Sequence, residues 1–225
     1  MCACYEDVMK RLKDERKRLH WSQDDMSRYV HINQGNYCKI EKGNRRFSYY
    51  EIKELYKSDF DVNYIFSGQR SNEYYKEMIG DCSYKEALAL FSVISSVIAY
   101  CWAMKRTSFW KSMYQKVKFM HLIDIEHIEQ QNLFLLVRHE LKCLQIQMAK
   151  LLEVDVKKLR DLEKGKCLPD SELLWLMYER FLIPPAVILK SEKGLICEMS
   201  CLLEQLDSAG EKTPIDVIKN LRNIY

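Results

Sequence analysis

Four polar side chains near the start of the chain have the chemistry needed to recognise nucleic-acid bases. They fall within seven residues, on what would be the outward face of a short helix: Asn33, Gln34, Asn36 and Lys39. Side-chain amides pair with the adenine edge, and a lysine ammonium with the guanine edge, in the major groove of DNA. Gln23, Arg45 and Arg46 would meet phosphates, and Lys42 completes the predicted set. This combination predicts a surface for double-stranded DNA.

Positive charge is concentrated around these side chains. The whole chain has 35 Lys and Arg against 32 Asp and Glu, a net charge of +3. Residues 10–46 alone contain 11 Lys and Arg against 5 Asp and Glu, an excess of +6. Charge gathered in one segment favours a polyanionic partner more than the small net charge of the chain would suggest.

Each of these residues also has a purely structural explanation. Asn33 could be a helix cap, Lys39 a solvated charge, and Arg45 with Arg46 a polar loop. Gly35 inside a helix costs about 1 kcal/mol relative to alanine, which indicates either close approach of the backbone to DNA or a tolerated defect. The coincidence of amides, lysine and basic loop on one face favours DNA binding.

The composition predicts an all-α fold. Seven glycines and four prolines in 225 residues leave too few turns for a β-sandwich or a barrel. The glycines are also too far apart for a phosphate-binding loop or a Gly-x-Ser-x-Gly nucleophile turn. The five histidines lack metal-site spacing, and the nine scattered cysteines predict free thiols in a cytoplasmic protein. We therefore expect no enzyme, no metal and no cofactor.

The chain contains an internal repeat. A shift of 122 residues aligns residues 11–65 with residues 133–187 without a gap. Eight aligned positions are identical: Arg16/Arg138, Leu19/Leu141, Gln23/Gln145, Met26/Met148, Glu41/Glu163, Lys42/Lys164, Gly43/Gly165 and Tyr56/Tyr178. Apolar positions match as well, which predicts two copies of one helical module.

The first copy carries the signals of a helix-turn-helix. Ser22 predicts the cap of a helix that begins at Gln23, and Asn33 predicts the cap of the next helix. Gly43 would end that helix in the left-handed conformation. Two short helices joined by a turn of about three residues can place the second helix in a major groove.

These residues resemble the lambda-repressor-like, Cro/C1-type (XRE) helix-turn-helix proteins. The matching residues are Gln23–Met26, Ile32–Ile40, Glu41–Gly43 and Arg45. The resemblance covers residues 5–66 and, more weakly, residues 127–190. It implies five helices per module, with Gln23 at a phosphate and outward residues of the third helix at base edges. Ser27 and His31 depart from the alanine and glycine that are common in this family.

The second copy has lost the base-reading chemistry. Where the first copy has its amides and lysine, the second has Asp155, Val156, Lys157, Lys158 and Asp161. Leu144 and Ile146 replace the polar Ser22 and Asp24, which indicates that protein covers this face. We therefore expect a degenerate module used for packing or dimerisation, with a nonspecific phosphate role for its lysines left open.

The segment between the copies predicts a helical hairpin. Residues 87–104 carry no charge and reach the lower limit of a membrane span, but charged helices continue on both sides. A buried or dimer-forming helix is therefore expected. Small residues along this helix would allow close approach of another helix: Ser92, Ser96, Ala99 and Ala103. This stripe is either the seam of a homodimer or a packing surface within one chain.

The predicted organisation has four parts. Residues 1–68 form the DNA-binding domain, residues 69–126 a linker and dimerisation hairpin, residues 127–190 the degenerate module, and residues 191–225 the C-terminal helices. The expected function is sequence-specific transcriptional regulation, by repression, as a homodimer on double-stranded DNA. A protein partner on the second module is a further option. The alternatives are a helical scaffold or antitoxin-like protein whose modules pack on protein, and an enzyme that uses the module only to dock.

Overall fold

The computed structural model describes residues 5–124 and 131–222, and this part of the chain contains helices but no strand. The predicted all-α class is thereby confirmed. Residues 1–4, 125–130 and 223–225, which contain ends of the four predicted domains, lie outside the described residues. The first five helices are α1 (Tyr5–Arg18), α2 (Gln23–Tyr29), α3 (Gln34–Glu41), α4 (Tyr49–Leu55) and α5 (Val62–Ser67). The middle helices are α6 (Glu73–Ile79), α7 (Tyr84–Lys105) and α8 (Ser108–Val117), followed by a 3₁₀ turn at Met120–Leu122.

The remaining helices comprise a second run of five and a C-terminal pair. They are α9 (Leu133–Glu140), α10 (Gln145–Leu151), α11 (Val156–Glu163), α12 (Ser171–Phe181), α13 (Pro185–Ile188), α14 (Glu192–Ser208) and α15 (Thr213–Arg222). The second, third and fourth helices of each run begin at positions 122 residues apart: Gln23/Gln145, Gln34/Val156 and Tyr49/Ser171. The repeat in the sequence is therefore a repeat of helices.

The turns between these helices are repeated as closely as the helices. Residues with positive φ occur at matching places in both runs: His20/Lys142, His31/Glu153 and Gly43/Gly165. Left-handed backbone is unfavourable for residues other than glycine, by roughly 1–2 kcal/mol per residue. His31 thus takes the conformation for which glycine is common in the family that the sequence resembles, and the departure does not change the turn.

Polar caps explain where α2 and α3 begin. The Ser22 hydroxyl accepts the amide hydrogen of Asp25 at 3.1 Å, and the Asp25 carboxylate accepts the amide hydrogen of Ser22 at 2.9 Å. The Asn33 side chain accepts the amide hydrogen of Asn36 at 2.8 Å. Each bond satisfies an amide that a helix start leaves without a partner. The predicted caps Ser22 and Asn33 are confirmed.

The two runs of five helices pack against each other through the same stretch of each. The Phe47 amide donates to the Ser171 hydroxyl and the Ser171 amide to the Phe47 carbonyl, both at 3.0 Å. Under the shift of 122 residues, Ser171 corresponds to Tyr49 and Phe47 to Pro169, and Tyr49 and Pro169 line one cavity. The stretches that meet at this junction, residues 47–49 and 169–171, therefore occupy equivalent places in the repeat.

The middle and C-terminal helices form one packed layer. α7 lies against α8, α14 and α15, and α14 also lies against α5, α6 and α13. By length and composition, α7 is long and apolar enough to cross a membrane, yet one of its sides is buried in the protein. The side chains on that buried side are Ala87, Leu88, Phe91, Ile94, Ser95, Ile98 and Cys101. This face, rather than the predicted small-residue stripe, joins α7 to the other helices.

Gly194 lies where α14 meets both runs of five helices. A Cβ atom at this position would be 2.4 Å from Cε1 of Tyr56 and 2.7 Å from Cβ of Ala186. Tyr56 follows α4, and Ala186 belongs to α13. The absence of a side chain therefore lets α14 contact both runs at once.

We expect Gly194→Ala to lower the free energy of unfolding by about 1–3 kcal/mol, because the added methyl overpacks a closed contact. Urea denaturation followed by circular dichroism measures the effect. Gly35→Ala is the matched control, since the nearest atom to its Cβ would be Asn33 Oδ1 at 3.5 Å. That helical substitution should stabilise the protein by up to about 1 kcal/mol. Equal stability of Gly194→Ala and wild type would contradict the packing argument.

Candidate nucleic-acid interface

The outward face of α3 carries side chains that have no partner among the described residues. Gln34, Lys39 and Lys42 are exposed, and Asn36 is half-buried. Tyr37 and Ile40 on the opposite side are fully buried, which fixes the rotation of the helix about its axis. The predicted base-reading residues thus lie together on one surface with their amide and ammonium groups available.

Two other predicted residues of this helix have a more specific setting. The side-chain Oδ1 of Asn33 accepts the amide hydrogen of Asn36 at the cap of α3, and its NH₂ group has no partner among the described residues. Gly35 is exposed in the first turn, and the space around it would hold a side chain. No internal packing requirement therefore explains the glycine at position 35.

The side chain of Gln23 is hydrogen-bonded to a buried ion pair. Arg16 Nε donates to Glu41 Oε1 at 2.6 Å, and Gln23 Nε2 donates to Glu41 Oε2 at 2.7 Å. The Tyr37 hydroxyl donates to the same carboxylate at 2.8 Å. The side chains of Arg16 and Glu41 are only 9% and 3% exposed. One carboxylate thus joins α1, the start of α2 and the end of α3.

The hydrogen bonds to Glu41 keep it ionised. Burial acts to raise the pKa of Glu41, but the hydrogen bonds from Arg16, Gln23 and Tyr37 outweigh it and hold the pKa below its ordinary value. Burial, followed by the nearby carboxylate, raises the pKa of Tyr37 well above its ordinary value, so this hydroxyl stays a donor. The network therefore has one charge state at neutral pH.

The two loop arginines are both engaged by carboxylates. Arg45 Nη2 donates to Glu51 at 2.6 Å, while Arg45 Nη1 is buried without a hydrogen-bond partner. Arg46 pairs with Glu172 of α12, across the junction between the two runs. Of the predicted phosphate contacts, Gln23, Arg45 and Arg46 all have internal partners. Lys39 and Lys42 are the predicted cations whose charge is uncompensated within the described residues.

The second run contains the same arginine, glutamine and glutamate network, with Leu159 at the position of Tyr37. Arg138 Nε pairs with Glu163 Oε1, and its Nη2 donates to Oε2 at 3.2 Å. Gln145 Nε2 donates to Glu163 Oε2 at 2.7 Å. Burial acts to raise the pKa of Glu163, and hydrogen bonds from Arg138 and Gln145 bring it below the ordinary value. Sequence reasoning missed both networks, although three of the eight identities of the repeat are their arginine, glutamine and glutamate.

The outer face of the second run differs from that of the first. Leu144 and Ile146 at the start of α10 are 66% and 65% exposed. The exposed side chains of α11 are the cations Lys157 and Arg160, and the exposed Lys164 directly follows the helix. One carboxylate oxygen of the N-cap residue Asp155 accepts the amide hydrogen of Lys158 at 2.7 Å. No protein within the described chain covers the apolar side chains at the start of α10.

The predicted dimer seam lies on the side of α7 away from its packed face. Ser96 and Ala103 are exposed, and Ser92 and Ala99 are half-buried. The Ser96 hydroxyl donates to the Ser92 carbonyl at 2.9 Å, so its polar group is satisfied within the helix. These residues are available to another molecule without any change in the described fold.

Comparison of the chain with protein-family models, with curated proteins and with solved structures finds no match. Among residues 5–124 and 131–222, no three His, Cys, Asp or Glu side chains are grouped so that they could hold a metal ion. The chemistry of the outward face of α3 therefore has to be judged from its own geometry.

We expect Glu41→Gln to lower the free energy of unfolding by about 3 kcal/mol at pH 7, because it leaves Arg16 buried without a countercharge. The pKa of Glu41 is depressed in the folded protein, so its contribution is complete above pH 4.5. The contribution is lost as the pH falls through the folded pKa. Urea denaturation at a series of pH values should show the two proteins converging in acid.

The control for this prediction is Glu54→Gln. Glu54 pairs with Lys57 at 2.6 Å on the surface, three residues along the chain. Such a pair contributes at most about 0.5 kcal/mol. Equal destabilisation by the two substitutions, or a difference that persists unchanged in acid, would show that the buried carboxylate does not have the role described.

Proposed function

We propose that the protein is a sequence-specific DNA-binding transcriptional regulator, of the repressor type, that reads the major groove with α3. The observation that carries this proposal is the set of unpaired amides and lysines on the outward face of α3. Gln34 and Asn36 carry side-chain amides, which can pair with an adenine edge. Lys39 carries an ammonium group, which can pair with a guanine edge. Lys42 at the end of the helix supplies a free cation for a phosphate.

The geometry of the supporting helices agrees with this assignment. α2 and α3 are short, capped and joined by a turn with His31 at positive φ. The Glu41 network fixes the angle between them without using any outward side chain of α3. We propose that each run of five helices is a lambda-repressor-like module and that α7 and α8 form the hairpin that joins them.

The second candidate is a protein-interaction scaffold or antitoxin-like protein. The exposed Leu144 and Ile146 favour it for the second module, because apolar side chains exposed together in one patch are typical of a protein-contact surface. This observation does not extend to α3, whose outward face has no apolar side chain that is exposed. The two candidates therefore concern different surfaces of the chain.

Selection of bound sequences from random duplexes tests the DNA-binding function. We expect the wild type to enrich a common sequence, and Asn36→Ala to lose about 1–3 kcal/mol of discrimination at one base pair. Lys42→Ala should weaken binding to all duplexes and reduce the salt slope by about 0.9. Asn220→Ala, at an exposed asparagine of α15, is the matched control and should bind as wild type does.

Two results would refute the proposed function. One is a wild-type protein that binds no duplex at 50 mM salt, where phosphate contacts are strong. The other is duplex binding without any enriched sequence, together with unchanged binding by Asn36→Ala. In either case the interaction scaffold would become the better interpretation of the fold.

We further propose that two chains associate through the Ser92, Ser96, Ala99 and Ala103 stripe of α7. Because Ser96 is exposed, Ser96→Phe should not disturb the core, and light scattering should show a change from dimer to monomer with an unchanged unfolding midpoint. Ser108→Phe, at the exposed start of α8, is the control and should remain dimeric. A wild-type monomer, or a dimer that survives Ser96→Phe, would contradict this seam.

A further inference from the structure

We propose that the second module binds the DNA phosphates next to the site read by α3, without reading bases, so that one chain contacts an asymmetric site. This inference rests on the proposed function and extends it to the basic face of α11. It assigns a partner to a surface that faces away from the core of the protein. The ligand is the phosphate backbone of duplex DNA.

The cations of α11 form a continuous stripe. Lys157, Arg160 and Lys164 recur every three to four residues and therefore share one side of the helix. All three are exposed, and Lys166 follows in the exposed loop. Their side chains have no ion-pair partner among the described residues. A stripe of free cations along a short helix suits a row of phosphates.

Neighbouring acids do not neutralise this stripe, because most of them are paired elsewhere. Glu163 is held by Arg138, Asp170 lies 3.4 Å from Lys158, and Glu153 pairs with Arg180. Asp155 caps the start of α11. Asp161 is the half-buried acid that remains beside the cations, so positive charge is in excess on this face.

The junction between the modules places this stripe in a fixed relation to α3. Phe47 and Ser171 exchange backbone and hydroxyl hydrogen bonds, and Arg46 pairs with Glu172 at the same place. The loop that follows α3 and the loop that follows α11 both run to this junction. The junction therefore holds α3 and α11 in one packed body, through the loops that follow them.

The alignment of the two copies explains why the contact of the second module with DNA would not depend on the base sequence. At the aligned positions the amides of Gln34 and Asn36 are replaced by the side chains of Val156 and Lys158. Lys158 is paired with Asp170, and Val156 is half-buried. Lys164 carries a positive charge at the position aligned with Lys42. The second module therefore retains a phosphate contact and lacks the groups that distinguish bases.

The test compares the full-length wild type with the double variant Lys157→Ala/Arg160→Ala on the duplex that the wild type selects. Each neutralised phosphate contributes about 0.9 to the salt slope, so we expect the slope to fall by about 1.8 and affinity at 0.1 M salt by about 60-fold. The loss should be equal for selected and unrelated duplexes. The hydroxyl-radical footprint should shorten on one side by about one helical turn.

Lys85→Ala/Lys111→Ala removes two exposed lysines from α7 and α8 and serves as the matched control. It should leave affinity, slope and footprint unchanged. An unchanged footprint and slope in the α11 variant, while Asn36→Ala still loses discrimination, would overturn this inference and leave the proposed function standing. The basic face would then be assigned to an acidic protein. Failure of the wild type to bind any duplex would overturn both proposals.

Discussion

The arrangement of the candidate interface depends on the carboxylate of Glu41. A carboxylate at the last residue of a helix lies at the negative end of the helix dipole, where it is destabilising on its own. Arg16 from α1 supplies the opposing charge, and Gln23 and Tyr37 supply two further hydrogen bonds. These partners offset the destabilisation, and the bonds to Glu41 link α1, α2 and α3. Buried apolar side chains of the same helices, among them Met26, Tyr37 and Ile40, complete the contact between α2 and α3.

This arrangement separates the residues that hold the helices from those that face outward. Arg16, Gln23 and Glu41 face one another, and Tyr37 and Ile40 face the core, which leaves Gln34, Asn36 and Lys39 without an internal role. An outward face with no structural duty can change without unfolding the module. The second run shows the same separation, because it keeps Arg138, Gln145 and Glu163 while most of its outward residues, apart from Lys164, are different.

Much of the fold could be predicted from the sequence because its signals are local. The caps Ser22 and Asn33 and the turn at Gly43 act within four residues, and the structure confirms each of them. The outward position of Lys39 followed from helical periodicity alone. The partners of Arg45 and Arg46 could not be predicted, because Glu51 and Glu172 reach them only through tertiary packing. The role of Gln23 as a partner of Glu41 was missed for the same reason, although the paired identities of the repeat pointed to it.

The junction between the two runs changes what the repeat means for the molecule. Two modules in two copies of one chain would be identical, and a two-fold dimer of them would present the same face twice. Two modules in one chain can diverge, because each copy needs only its own buried network and its share of the junction. Ser171 illustrates this freedom: its hydroxyl and amide both bond to Phe47, whereas the equivalent position in the first run is Tyr49, which lines a cavity together with Pro169. A junction built from unequal residues fixes the order of the two modules, and with it the direction in which the chain would lie on an asymmetric partner.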